Sequence, residues 1–208
     1  MKNSVYVVNG MNDYVNWMQM PITKKLEDAT LICFCGGEDV SPQMYNEPRH
    51  STTRCNPFRD VYEEKIFNNA LALKKHMIGI CRGSQFLCVM NGGKLVQHQE
   101  NKFYEHFLFT PDKKDISITS THHQAQYPWN LKEGKDFKLL GWTKNLSKFH
   151  LDGNGKELCK TKEYEVENVY YPKTKCLGYQ GHPEWMDLDH PTVKYLQNQL
   201  DLFIQDKL

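Results

Sequence analysis

The sequence predicts a single α/β domain built around a parallel sheet. Short apolar runs alternate along the chain with segments of helical periodicity, which is the pattern of strand–helix–strand units. A length of 208 residues suits one domain with a sizeable core. We find no internal repeat, low-complexity tract or linker, so we expect residues 1–208 to form one domain.

Three strands and three helical segments are predicted in the first half. The first strand is expected at residues 5–8 before Asn9-Gly10, and the second at 31–35 before Gly36-Gly37. A short helix is predicted at 14–20. Apolar residues at helical spacing predict a helix over 60–75, which leads to a third strand that ends at Cys81. Another helix is expected from residue 84 to about 90, before Asn91-Gly92-Gly93. The apolar residues of the 60–75 helix are Val61, Ile66, Phe67, Ala70, Leu71 and Leu73.

The second half is predicted to contain short strands and one further helix. Strand-like pieces occupy 116–118, 138–142 and 165–171, and the segment 146–162 is expected to be a surface hairpin or loop. A last strand is expected at 175–179. Pro191 is well placed to open a C-terminal helix. One face of that helix is apolar: Val193, Leu196, Leu200, Phe203 and Ile204.

Composition excludes several classes of protein. The formal net charge is +1, so no global field favours nucleic acid or an acidic membrane surface. Seven cysteines without a CxxC pair suit reduced thiols in the cytosol better than a disulfide scaffold or a zinc site. The apolar run near the start is too short for a secretory signal, and no stretch approaches the ~18 apolar residues of a membrane helix. We therefore expect a cytoplasmic protein without a membrane partner.

The segment Met77–Gln85 contains a candidate nucleophile. An apolar run stops at Gly79-Ile80-Cys81-Arg82-Gly83, and a helical pattern follows at once, which has the form of a nucleophile elbow with cysteine in place of serine. A cysteine at a helix N-terminus feels the positive end of the helix dipole, which favours its thiolate. Taken alone, the segment is also compatible with a buried core cysteine beside a loop glycine.

A candidate base follows the last predicted strand. His182 and Glu184 are two residues apart, and in extended backbone such residues project to the same side. The carboxylate can then orient the imidazole as the base that a cysteine nucleophile needs. By itself a His-Pro-Glu segment also fits a solvated turn.

A candidate oxyanion hole follows the second strand. Paired glycines such as Gly36-Gly37 let the backbone approach a ligand and direct N–H groups at it. The amide of Arg82, the residue after the nucleophile, is the natural second donor. On its own, the glycine pair also fits an ordinary turn.

With these residues in view, the chain resembles class I glutamine amidotransferase-like proteins. Within them it is similar to the peptidase C26 group of γ-glutamyl hydrolases (γ-glutamyl-γ-aminobutyrate hydrolase-like). Most of the chain is covered, through six blocks in the same order. These are 36–42 with Tyr45 and Glu47, Arg59-Asp60, 79–85, 92–97, Ser120-Thr121-His122-His123-Gln124, and Gln180-Gly181-His182-Pro183-Glu184-Trp185.

The resemblance implies a fold and a set of site residues. The fold is a mostly parallel, doubly wound sheet flanked by helices, a flavodoxin-like three-layer arrangement. The implied triad is Cys81, His182 and Glu184, and the implied oxyanion donors are the amides of Gly37 and Arg82. Gln85 is expected in the glutamyl pocket, and His122, His123 and Gln124 are further expected substrate contacts. One histidine of the pair is expected to line the site and the other to be structural. The chain departs from the family at Cys88, where asparagine is frequent, and in its short segment 10–21.

The predicted activity is hydrolysis of a small γ-glutamyl conjugate through a glutamyl thioester, with release of glutamate and an amine or amidate. No metal or organic cofactor is expected, and neither nucleic acid nor a partner synthase is required, although the chain could form a homodimer. Two alternatives are a glutaminase that hands ammonia to a separate synthase and a non-catalytic binding protein on the same fold. The identity of the amine stays open.

Overall fold

The computed structural model describes residues 3–100, 105–112, 115–144, 147–158 and 164–208. Its centre is an eight-stranded mixed sheet in the order β1-β2-β3-β12-β11-β9-β6-β7. Neighbours in the first four positions pair in parallel, and the other four strands continue the sheet in antiparallel pairing. The strands are β1 Val5–Val8, β2 Leu31–Phe34, β3 His76–Ile80, β4 Lys94–Val96, β5 His98–Gln99, β6 Glu105–Phe109, β7 Asp115–Thr119, β8 Ala125–Tyr127, β9 Lys138–Thr143, β10 His150–Leu151, β11 Glu165–Tyr171 and β12 Cys176–Tyr179.

Helices cover both faces of this sheet. The α-helices are α1 Pro57–Ala72, α2 Arg82–Met90 and α3 Pro191–Ile204. Helices α1 and α2 pack on one face through Phe67 and Phe86, and α3 packs on the other through Leu196 and Phe203. Two apolar cores, one on each face, are what a doubly wound three-layer fold requires. The predicted fold class is confirmed.

Several predicted elements form with shifted bounds. The expected short helix at 14–20 is a 3-10 helix over Asn12–Met18. Helix α1 begins at Pro57, three residues before the predicted start, because the Asn56 side chain caps it by accepting from the Arg59 N–H at 3.3 Å. The predicted C-terminal helix matches α3, and four of the five apolar residues predicted on its inner face are buried.

The predicted apolar face of the 60–75 helix is wrong in part. Val61 is 68% exposed, and Leu71 and Leu73 are also exposed. The buried stripe instead contains Asp60 and Glu63 together with the apolar residues Phe67 and Ala70. A hydrophobic pattern alone could not predict this buried stripe, because two of its four residues have a carboxylate side chain.

Short strands account for the missed structure in the second half. Strands β4 and β8 pair with each other, as do β5 and β10, outside the main sheet. The predicted hairpin or loop at 146–162 overlaps β10 and the turn after it, but residues 146 and 159–162 lie outside the described part. No helix in the described residues is long and apolar enough to cross a membrane. The six cysteines in that part are free, and Cys159 lies outside it.

Candidate active site

Three neighbouring strand ends bring the candidate residues together. Strand β3 lies between β2 and β12, in parallel with both. Cys81 follows β3, the Gly36-Gly37 pair comes after β2, and His182 comes after β12. Adjacent strands are roughly 4.8 Å apart, so loops from three distant parts of the sequence meet at one edge. This is the edge where ligands bind in open α/β sheets.

Cys81 has the backbone of a nucleophile elbow. Its φ is 51° and its ψ is −111°, a strained conformation for a residue with a side chain. The turn is closed by the Ser84 side chain, whose Oγ donates to the Cys81 carbonyl at 2.7 Å. A Cβ at Gly79 would lie 2.3 Å from the Gly83 carbonyl carbon, so strand and helix meet here only without a side chain. The close approach of β3 and α2 at this elbow therefore requires glycine.

His182 and Glu184 form a hydrogen-bonded pair beside this cysteine. The Nδ1 atom of His182 lies 2.7 Å from a carboxylate oxygen of Glu184, and both side chains are almost fully buried. Burial lowers the pKa of His182, but interactions with the Cys81 thiol and the Glu184 carboxylate outweigh it and raise this pKa to about 9. Within the described residues, the other ring nitrogen, Nε2, has no hydrogen-bond partner. It is available for proton exchange.

The glycine loop after β2 is braced from α1. Gly37 has a φ of 142°, which favours glycine, and a Cβ there would lie 2.0 Å from Nη1 of Arg59. Arg59 donates through Nη2 to the carbonyls of Cys35 and Gly36, at 3.0 and 2.9 Å. Its Nη1 also donates to the Glu38 carboxylate at 2.9 Å. One guanidinium thus holds the loop of the candidate oxyanion donor.

The Arg82 side chain forms buried ion pairs and a hydrogen bond that the sequence did not predict. It is buried, forms ion pairs with Asp60 and Glu63, and donates through Nε to the Glu38 carbonyl at 3.1 Å. Burial and the charge of Arg59 lower the pKa of Arg82 to about 10, while Asp60 opposes that shift. Its side chain therefore ties the elbow to α1 and to the glycine loop. Its backbone amide lies in the first turn of α2, where helix N–H groups have no partner within the helix.

The expected substrate contacts lie close by, but several are already bonded to protein. The Gln85 amide donates to the Gln124 carbonyl at 3.0 Å and to the Gln180 side chain at 3.4 Å. The Gln124 amide donates to the Thr53 hydroxyl and the Gln97 carbonyl, at 3.1 and 3.0 Å. Both side chains are buried, so each orders the wall of the site through protein contacts.

The two neighbouring histidines differ in their surroundings. His122 is buried with Nδ1 2.9 Å from the Gln124 carbonyl, and burial lowers its pKa to about 4. The His123 side chain is 28% exposed, and its Nε2 lies 3.3 Å from the Asp39 carboxylate. The segment containing the pair reaches the nucleophile, because the Cys81 thiol is 3.9 Å from the Thr121 carbonyl. Asp39 and His123 join this segment to the glycine loop.

Tyr14 is a neighbour of the site that was not predicted from the sequence. Its pKa is raised to about 12 by burial and by Glu184, Cys81 and Cys35. Its hydroxyl also packs against Gly36, where a Cβ would lie 2.8 Å from the oxygen. The aromatic residues of the segment 14–20 were the only signal in the sequence that could have indicated this role of Tyr14. Among the described residues, no group of three or more His, Cys, Asp or Glu side chains is arranged to hold a metal ion.

Comparisons with known proteins agree with this architecture. The family model for peptidase C26 matches residues 15–126. Protein NtpR of Enterococcus hirae is 27% identical over 190 residues, which cover 87% of this chain and 76% of that protein. The glutamine amidotransferase-like protein YvdE of Lactococcus lactis is 38% identical over 95 residues, covering 44% of this chain but only 39% of YvdE.

A solved structure extends the likeness of fold to almost the whole chain. PurLQS from Thermotoga maritima matches with a TM-score of 0.61 and 19% identity, covering 97% of this chain and 99% of that one. At this identity the match concerns the fold, whereas the family model also matches the sequence of the glycine loop, the elbow and the histidine pair. The chain belongs to the peptidase C26 family of class I glutamine amidotransferase-like proteins, a membership that supports a role in hydrolysing amide bonds.

Proposed function

We propose that this protein is a cysteine-dependent γ-glutamyl hydrolase, with Cys81, His182 and Glu184 as its triad. One observation carries the proposal: the strained elbow at Cys81 lies beside a buried His182–Glu184 pair contributed by the adjacent parallel strand. A nucleophile, a base and a group that orients the base are the parts that covalent catalysis at a carbonyl requires. Membership of the peptidase C26 family adds support.

The proposed reaction begins with a proton transfer from the Cys81 thiol to Nε2 of His182. The thiolate then attacks the δ-carbon of a γ-glutamyl amide, and the carbonyl electron pair moves to oxygen. Backbone amides of Gly37 and Arg82 stabilise this oxyanion. His182 donates its proton to the amide nitrogen as the C–N bond breaks, which releases the amine and leaves a glutamyl thioester.

Hydrolysis of the thioester completes the proposed cycle. His182, now neutral, takes a proton from water as the water oxygen attacks the thioester carbon. The C–S bond breaks, and the thiolate and glutamate are released. Glu184 keeps the imidazole in the required tautomer throughout. Every proton transfer in this cycle passes through His182.

Two other functions remain as alternatives. A glutaminase with a partner synthase would use the same residues, and the relative YvdE is named a glutamine amidotransferase-like protein. The hydrolase is favoured because Arg59 and Arg82 already brace the glycine loop and the elbow within this chain alone. A non-catalytic binding protein would have no need of the buried pair beside the cysteine.

The test is a panel of γ-glutamyl amides assayed with the purified protein alone, with free glutamate as the measured product. We expect at least one amide other than glutamine to be cleaved, with kcat/KM about 100-fold or more above that for glutamine, equivalent to ~2.7 kcal/mol. Cys81→Ser should abolish the reaction while the protein stays folded. Cleavage of glutamine only, and only after a synthase is added, would support the glutaminase instead. If neither glutamine nor any other γ-glutamyl amide is cleaved under either condition, the result supports the non-catalytic binding protein.

A further inference from the structure

Trp185 lies flat against the imidazole of His182. The two ring centroids are 3.8 Å apart, and the planes differ by 3°. The Trp185 backbone N–H donates to the His182 carbonyl at 3.2 Å, within the 3-10 turn Pro183–Trp185. Residues three apart eclipse one another in such a turn. The local backbone therefore places the indole directly over the histidine ring.

The stack leaves the polar edge of the imidazole untouched. Nδ1 faces Glu184, and Nε2 is buried without a hydrogen-bond partner among the described residues. The neighbouring Cys81 thiol raises the histidine pKa. The His182 backbone is anchored separately, since its N–H donates to the Thr119 carbonyl at 2.7 Å. The His182 side chain is only 4% exposed, whereas Trp185 is 55% exposed. The indole thus covers one ring face against solvent without competing for a hydrogen bond.

We propose that Trp185 is a positioning residue whose indole face stabilises the imidazolium form of His182, and with it the thiolate of Cys81. The inference rests on the proposed roles of those two residues as base and nucleophile. An aromatic face attracts a cation, most strongly for tryptophan and where water is excluded. The stack also restricts rotation of the imidazole, which preserves the Nδ1–Glu184 hydrogen bond and holds Nε2 in place for proton exchange.

Other charges around the imidazole act on its edge. Glu184 favours the imidazolium, and the thiolate of Cys81 does so once formed. Tyr14, from the 3-10 helix packed on this turn, lies near Glu184 and Cys81 and stays neutral because its pKa is about 12. Trp185, in contrast, lies on a face of the His182 ring. Its effect is therefore separable from theirs by substitution.

The test is the rate at which iodoacetamide alkylates Cys81, followed by mass spectrometry between pH 5 and pH 10. The thiolate forms the new S–C bond and iodide leaves, so the rate measures the thiolate fraction without any substrate. Trp185→Leu should slow alkylation about three- to tenfold at pH 6, with convergence to the wild-type rate near pH 10. Trp185→Phe, which keeps an aromatic face, should stay within about twofold. Phe58→Leu, at an aromatic side chain that is 90% exposed, is the matched control and should have no effect.

Two results would overturn the proposal. One is an unchanged rate at pH 6 in folded Trp185→Leu protein. The other is equal slowing of both variants at every pH, which would mean that the indole governs access and not charge. If the leucine variant does not fold, proton NMR of the wild-type protein decides: the stack requires upfield-shifted His182 ring resonances, assigned with His182→Asn, and unshifted resonances would refute it. A shifted alkylation profile without turnover of any γ-glutamyl amide would leave this inference standing while the proposed function fails.

Discussion

Replacement of Gly37 by alanine tests whether the glycine loop supplies an oxyanion donor. The new Cβ would lie 2.0 Å from Nη1 of Arg59, and the φ of 142° disfavours any side chain. Backbone strain of this kind costs about 1–3 kcal/mol. Displacement of the Arg59 guanidinium would add the loss of its bonds to the Cys35 and Gly36 carbonyls. We estimate a total of about 2–4 kcal/mol, which lowers the Tm by roughly 5–15 °C in a domain of this size.

The catalytic rate of Gly37→Ala should fall by far more than the small unfolded fraction caused by its lower stability would explain. Alanine keeps the backbone N–H, but the strain and the clash with Arg59 would move this N–H out of position. Loss of one oxyanion donor costs about 10²- to 10³-fold in kcat, and we expect a loss of that size for γ-glutamyl hydrolysis by Gly37→Ala at 25 °C. Alkylation of Cys81 should stay within about twofold of wild type, because the thiolate needs no oxyanion donor. The assays are initial rates of glutamate release, iodoacetamide labelling and thermal unfolding on the same preparation.

Gly134→Ala is the matched control for this substitution. Gly134 also has a positive φ, 80°, but nothing lies within 4 Å of a Cβ placed there. Only the backbone cost of about 1–2 kcal/mol should appear, with activity unchanged. The reasoning is refuted if Gly37→Ala retains more than about a third of wild-type activity. It is also refuted if labelling of Cys81 falls as far as turnover, since the loop would then act on the nucleophile.

Two further predictions concern buried ionisable side chains, Arg82 and His122. Arg82→Met removes a cation from the buried carboxylates of Asp60 and Glu63, so urea denaturation should show a loss of about 3–5 kcal/mol in the free energy of unfolding. Lys173→Ala, at an exposed ion pair, should have a much smaller effect, and equal losses would contradict the assignment. His122 has a folded pKa of about 4, below its ordinary value of 6.5, so its neutral form contributes stability above pH 6.5 that is lost as the pH falls toward 4. The Tm of His122→Asn should therefore drop less than that of wild type between pH 7 and pH 4.5, and parallel curves would show that His122 is not the group responsible.

The strand ends around Cys81 were predictable because local patterns define them. Apolar runs that stop at glycines mark where buried strands leave the sheet, and the glycines on either side of Cys81 report a close approach of strand and helix. The two-residue spacing of His182 and Glu184 likewise places both side chains on one side of an extended segment, and they are hydrogen-bonded in the structure. Their catalytic roles stay a prediction.

The antiparallel half of the sheet was less accessible from sequence. Strand β6 of this half was missed because its buried positions are His106 and Leu108, whereas Phe107 is exposed, so hydrophobicity does not mark its buried face. Strand β8, which lies outside the main sheet, has only three residues. Strand β6 pairs with the next strand, β7, whereas β8 pairs with β4, which is distant in the chain. Helix α1 shows a related failure, because the residues that it buries include Asp60 and Glu63, which a hydrophobic pattern assigns to solvent.

By itself the sequence determined the α/β class, the elbow at Cys81 and the candidate base, since each depends on residues within a few positions of one another. Only the tertiary structure decided that the Arg82 side chain is buried against α1, that Arg59 braces Gly37, and that Trp185 lies flat on His182. The first two are contacts between residues at least 19 positions apart in the chain, and the third depends on ring orientation in a short turn. Sequence patterns record which residues share a face of a strand or helix, whereas the ion pairs, ring contacts and burial around this site arise from how those faces pack together.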